Sequence, residues 1–127
     1  MKKSIILSIK PCYVHKILKG EKKYEFRKQL CKEDIEYIYI YSTYPEKIVV
    51  GYVTVLEKIK MSKKDLWNKT SQFAGIKKAD YDKYFLHQEF ACAYQLGKVV
   101  KYEKPLPLDY FGVAVAPQSF VYYSEES

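Results

Sequence analysis

The spacing of apolar positions changes period twice within the first thirty residues. Ser4 to Lys10 is rich in Ile and alternates weakly, which predicts a strand buried on at least one face. Pro11 stands where a helix can begin, because its missing N–H is not needed in the first turn. Val14, Ile17 and Leu18 then fall at i, i+3 and i+4 as one apolar stripe, and Gly20 supplies the stop. Lys16 and Lys19 near the helix end suit its dipole. From Lys22 to Lys28 the period returns to two, with Tyr24 and Phe26 on one face and Lys23, Glu25 and Arg27 on the other.

Glu36 to Ser42 predicts a third strand, Ile38 and Ile40 opposed to Tyr37, Tyr39 and Tyr41, and Thr43-Tyr44-Pro45-Glu46 reads as a turn. Ile48 to Ile59 is a long β-branched run whose Gly51 marks a bulge or a close approach. Its length suits a bent strand serving two parts of a barrel. Ser62 to Phe73 predicts a helix capped by Ser62 with Asp65 three residues on, and Gly75 ends it. Lys78 to Phe85 predicts a short helix turning Tyr81, Tyr84 and Phe85 inward, and Glu89 to Val100 a core strand. Residues 104–108 read as a rigid extended connection, Phe120 to Tyr123 as a last strand, and 124–127 as a frayed tail. With no internal repeat and no low-complexity linker, the expectation is one domain over residues 1–127. Its class is α+β, a curled sheet closing into a small barrel.

Composition narrows the class of protein. A hydrophobic share of 48% and a charged share of 29% exclude a disordered chain. Fourteen Tyr among 127 residues provide flat side chains with polar tips, suited to half-buried strands and equally to stacking on bases or sugars. The net charge of +7 is concentrated: residues 1–28 hold eight Lys and one Arg against Glu21 and Glu25, and residues 57–78 hold seven Lys against Glu57 and Asp65. Such clusters attract polyanions. Cys12, Cys31 and Cys92 are odd in number and lack C-x-x-C spacing, which argues against disulfides and a zinc site. His15 and His87 are isolated, so neither a metal nor a cofactor is expected. No apolar run approaches a signal-peptide core or a membrane span, and the expected location is the cytoplasm.

Three charges on one strand face directly after a helix-stop Gly are not what core packing asks for. Glu25 and Arg27, at i and i+2, can pair side by side and leave Arg donors for an anionic group, while Gly20 permits the exit that places Lys22 at the mouth of that face. A solvent-exposed face with an incidental ion pair is the competing reading of the same spacing.

The pattern Gly20-x-Lys22-x-x-Glu25-x-Arg27, preceded by a strand and a helix, resembles the signature of the ASCH domain family. The similarity continues through Leu7 to Pro11, through Tyr39-Ile40-Tyr41-Ser42-Thr43-x-Pro45, around Gly51, and at Pro117-Gln118-Ser119-Phe120. It implies a PUA-like small curled β-barrel of about five to six strands flanked by two to three helices. It also implies a cleft lined by the signature and suited to RNA or a nucleotide. The binding residues it points to are Gly20, Lys22, Lys23, Glu25, Arg27, Tyr41, Ser42 and Thr43, with Tyr41 as the stacking ring. Were the chain an enzyme, Lys22 and Glu25 would be its catalytic pair. The amidohydrolase members keep a Thr nucleophile where this chain has Glu25, so the departure shifts the expectation from acyl transfer toward recognition. Ribonuclease chemistry and a protein partner stay open as alternatives.

Overall fold

The computed structural model describes residues 3–124; of the tail expected over 124–127, Ser124 is instead the last strand residue and 125–127 lie outside the described residues. The chain runs β1 (Lys3–Ile9), α1 (Pro11–Leu18), β2 (Tyr24–Arg27), β3 (Tyr37–Ser42), β4 (Ile48–Ser62), α2 (Lys63–Thr70), α3 (Lys78–Tyr84), β5 (Phe90–Leu106) and β6 (Phe120–Ser124). Short 3-10 turns lie at Ser71–Phe73 and Leu108–Phe111. All six strands join one sheet in the order β2-β5-β4-β3-β1-β6. β1 and β3 run parallel, with α1 in the crossover between them, and every other pair is antiparallel.

The alternation read from the sequence sorts the two faces of the sheet. Ile5, Leu7, Ile9, Ile38 and Ile40 point inward with Val14 and Ile17 of α1, and they meet Tyr94 and Leu96 of β5. Ile6, Tyr39, Tyr41 and Val49 point the other way onto Phe111. A separate apolar cluster under α2 and α3 gathers Phe26, Ile59, Leu66, Tyr81, Phe85 and Ala93. Because β1 and β5 share one cluster although β3 and β4 separate them, the sheet is strongly curled.

Two long strands supply the curl. β4 and β5 pair along most of their length, with register shifts between Val49 and Gly51, between Val53 and Val55, and between Val55 and Glu57. Such bulges bend a ladder and increase its twist. At Gly51 a Cβ would lie 2.1 Å from the Val100 carbonyl oxygen, so the bare α-carbon is what lets β5 approach. The expected α+β architecture is present, with six strands and three α-helices among the described residues. No ladder joins β2 to β6 among the described residues, so the sheet curls without closing into a hydrogen-bonded barrel.

Two elements are longer than their sequence patterns. β4 runs to Ser62, whose hydroxyl accepts a hydrogen bond from the Asp65 N–H at 3.2 Å and caps α2. β5 continues through the expected connection as far as Leu106, which pairs with Val49. Pro105 is tolerated because β4 has no registered partner between Lys101 and Leu106, so the missing N–H breaks no rung.

Candidate functional site

Gly20 adopts φ +78°, a left-handed conformation that favours glycine, and turns the chain out of α1. The Glu21 and Lys22 amides both donate to the Lys16 carbonyl, and the Lys23 amide donates to Phe73 at 2.8 Å while its carbonyl accepts from Leu96 at 2.9 Å. These bonds pin the entry to β2. They also aim Lys22 inward, where its side chain is only 2% exposed. Its Nζ donates to the Ala74 carbonyl at 2.7 Å and lies 5.0 Å from the Tyr13 ring centre and 4.9 Å from that of Phe26. Burial pushes the ammonium down from 10.5 to about 8; Glu25 pulls it upward, and Lys16 and Arg27 push with the burial.

Phe26 packs into the apolar cluster, 5.3 Å from the Tyr81 ring centre and edge-on to it, while its ring also borders the cleft beside Lys22. Glu25 and Arg27 therefore share the opposite face, where Arg27 Nε and Nη2 both donate to Glu25 Oε2, at 3.1 and 2.9 Å. Arg27 Nη2 also donates to the Ser8 carbonyl at 2.5 Å. Glu25 Oε1 lies 3.9 Å from Lys22 Nζ. The ion pair is not an incidental surface feature, because the Glu25 and Arg27 side chains are 6% and 14% exposed. Arg27 Nη1 has no hydrogen-bond partner among the described residues.

These groups line a cleft of about 820 Å³. Lys10, Lys22, Arg27, Lys28 and Lys83 face Glu25 and Asp80 across it, leaving a positive excess. Tyr13 from α1 and Tyr84 from α3 form two aromatic walls, with Gln118 and Pro117 along the rim. Burial holds both phenols above their ordinary value, so they stay protonated and can donate. The rim is attached to β1, since Ser8 Oγ donates to the Pro117 carbonyl at 2.7 Å and its amide donates to Ser119.

Of the residues expected to bind, Lys22, Glu25, Arg27 and Thr43 converge on this cleft. Gly20 shapes the turn without lining it, and Lys23 lies over the Phe73 ring outside it. Tyr41 is corrected: with Ile40 pointing inward, period two sends Tyr41 to the opposite face against Ile6 and Phe111, so it cannot stack in the cleft. Ser42 is also outside, fully buried with its hydroxyl bonded to Glu46, whose carboxylate in turn meets His15. Lining residues that the sequence did not single out include Ser8, Tyr13, Tyr84 and Gln118, with the cations Lys10, Lys28 and Lys83. Tyr13 precedes the apolar stripe of α1 by one position and Tyr84 flanks that of α3, so each sits at the edge of a buried face.

Among the described residues no three His, Cys, Asp or Glu side chains are grouped to hold a metal, and no helix is long and apolar enough to cross a membrane. Cys31 is buried, its amide accepted by the Tyr94 hydroxyl oxygen at 2.7 Å, and is no accessible thiolate.

No protein-family model matches the chain. It is 30% identical over 122 residues to a protein named ATP synthase subunit alpha from Ureaplasma parvum, and 28% identical over 96 residues to one named ASCH domain-containing ribonuclease from Zymomonas mobilis. The alignments take in 95% and 75% of this chain but span only 15% and 65% of those relatives' lengths. The crystal structure of ASCH from Zymomonas mobilis superposes with a TM-score of 0.87 at 25% identity, covering 96% of this chain and 88% of that one. With the curled mixed sheet, the glycine turn and the signature face all described, this agreement along nearly the whole chain shows that it has the fold of the ASCH domain and resembles the ASCH proteins of Zymomonas mobilis in sequence.

Proposed function

We propose that this chain binds RNA, as a short single strand, in the cleft beside β2. The observation that carries the reading is Arg27: it lines the cleft, its guanidinium is oriented by Glu25 and by the Ser8 carbonyl, and Nη1 has no hydrogen-bond partner among the described residues. A guanidinium fixed in this way is pre-organised for a phosphate oxygen, with little side-chain entropy left to lose. Lys10, Lys28 and Lys83 add positive charge around it. Tyr13 and Tyr84 offer faces on which bases stack, worth about 1–3 kcal/mol per base. A relative of this chain carries the name ribonuclease, which supports RNA over other polyanions.

The test is fluorescence anisotropy with a labelled oligoribonucleotide at several salt concentrations. Binding should weaken with salt, and Lys28→Ala and Lys83→Ala should each lower the slope of log affinity against log salt by about one. Binding that ignores both salt and these substitutions would sink the proposal.

A second reading, cleavage of the bound strand, is favoured by Lys22. An amine near 8 in a buried wall of the cleft holds a substantial neutral fraction in mildly alkaline solution, as a general base requires. In this reading Nζ takes the proton of a ribose 2′-hydroxyl, whose oxygen attacks the adjoining phosphorus. The P–O5′ bond breaks, and the departing oxygen takes a proton from water while Arg27 meets the charge on the phosphoryl oxygens. Lys22→Met should then abolish product formation while leaving RNA affinity within a few-fold. Cleavage that survives this substitution would rule Lys22 out as the base.

A further inference from the structure

A second cavity of about 480 Å³ adjoins the cleft, and Arg27, Lys28, Tyr84 and Gln118 line both. The chemistry of the two differs. Glu25 and Asp80 line the first, whereas the second has Arg27 and Lys28 as its only charged residues. Gln29 and Gln88 complete a set of three amides with Gln118, and none of the three side chains is spent on a hydrogen bond among the described residues. Phe120 and the part-exposed Tyr84 supply aromatic surface.

An amide side chain presents a carbonyl acceptor beside two N–H donors. That pairing complements the edges of unpaired bases, and a glutamine can meet adenine through two bonds at once. Cations at the boundary between two chambers, with amides and rings beyond them, fit the order of a nucleic-acid strand: base, bridging phosphate, next base. We infer that the second cavity is a subsite for the neighbouring nucleotide of the strand proposed above. The bridging phosphodiester would lie on Arg27 and Lys28, and the base edge would meet Gln29, Gln88 and Gln118. This inference rests on the RNA-binding reading and adds to it a two-nucleotide minimum ligand with an amide-read base.

The experiment compares adenosine monophosphate with a 2′-O-methylated diadenylate, which cannot be cleaved through its own ribose oxygen. Calorimetry is run on the wild-type chain and on Gln29→Ala/Gln88→Ala, neither residue lying in the first cleft. The wild type should bind the dinucleotide about tenfold more tightly, the worth of one base edge met by amide hydrogen bonds. The double variant should lose that advantage and bind the mononucleotide unchanged. A dinucleotide that gains nothing over the mononucleotide in the wild type, or an advantage that survives the double substitution, overturns the subsite while leaving the first cleft standing. Binding of neither ligand to the wild type overturns the RNA-binding reading and the subsite with it.

Discussion

The α-carbon of Gly75 lies directly against the stem of Lys22: a Cβ built there would come within 2.5 Å of Lys22 Cβ and 2.6 Å of its Cγ. Gly75 also has φ +65°, so both its conformation and its missing side chain serve the neighbour. Gly75→Ala should cost about 1–3 kcal/mol in urea unfolding, through strain and overpacking together. A displaced Lys22 should also regain water and titrate closer to an ordinary lysine. A variant as stable as the wild type would show that the loop shifts freely.

Breaking the Arg27–Glu25 pair from one side leaves a buried carboxylate without its partner. Arg27→Ala should therefore lose roughly 3 kcal/mol of stability along with RNA binding. Adding Glu25→Gln should restore part of the stability and none of the binding. Chemical denaturation and anisotropy on the same three proteins separate the two effects.

Lys22 makes stability depend on alkaline pH in a definite direction. Its folded value is lowered from 10.5 to about 8, so below pH 8 it carries its proton in both states and contributes no slope. Between about 8 and 10.5 the unfolded chain keeps a proton that the folded chain has released, and stability rises with pH. Measured against Lys22→Met, which cancels the titration of the tyrosines, the gain should be on the order of 3 kcal/mol at most. A flat difference across that window would place the lysine in water.

Tyr94 is fully buried and its hydroxyl accepts the Cys31 N–H at 2.7 Å, holding the loop after β2 against β5. Tyr94→Phe should cost about 1–3 kcal/mol because the amide is left unsatisfied. Thermal unfolding checks this, and hydrogen exchange at Cys31 should accelerate with it.

Local patterns made β1, α1 and β2 legible in the sequence, down to the opposed faces of Phe26 and of Glu25 with Arg27. They also marked Gly51 and the Ser62 cap, since each depends on a few neighbouring residues. The cleft was legible on its β2 side and at Thr43. Its other walls come from Tyr13 on α1, Tyr84 on α3 and the 117–118 rim, segments brought together by the curl of the sheet. Tyr41 shows the limit clearly: alternation assigned it to the face opposite Ile38 and Ile40, but only the curl decides which face encloses the site. Lys22 shows another, because its burial depends on Gly75, more than fifty residues away.

The bond from Arg27 to the Ser8 carbonyl joins the first strand of the sheet to the fifth, where no backbone ladder does. In the proposed binding mode the guanidinium that bridges these two strands is also the group a phosphate would meet. Under that reading the Ser8 carbonyl and a ligand draw on one guanidinium, so ligand binding and the contact between β1 and β2 would be coupled, each altering the other by the same factor.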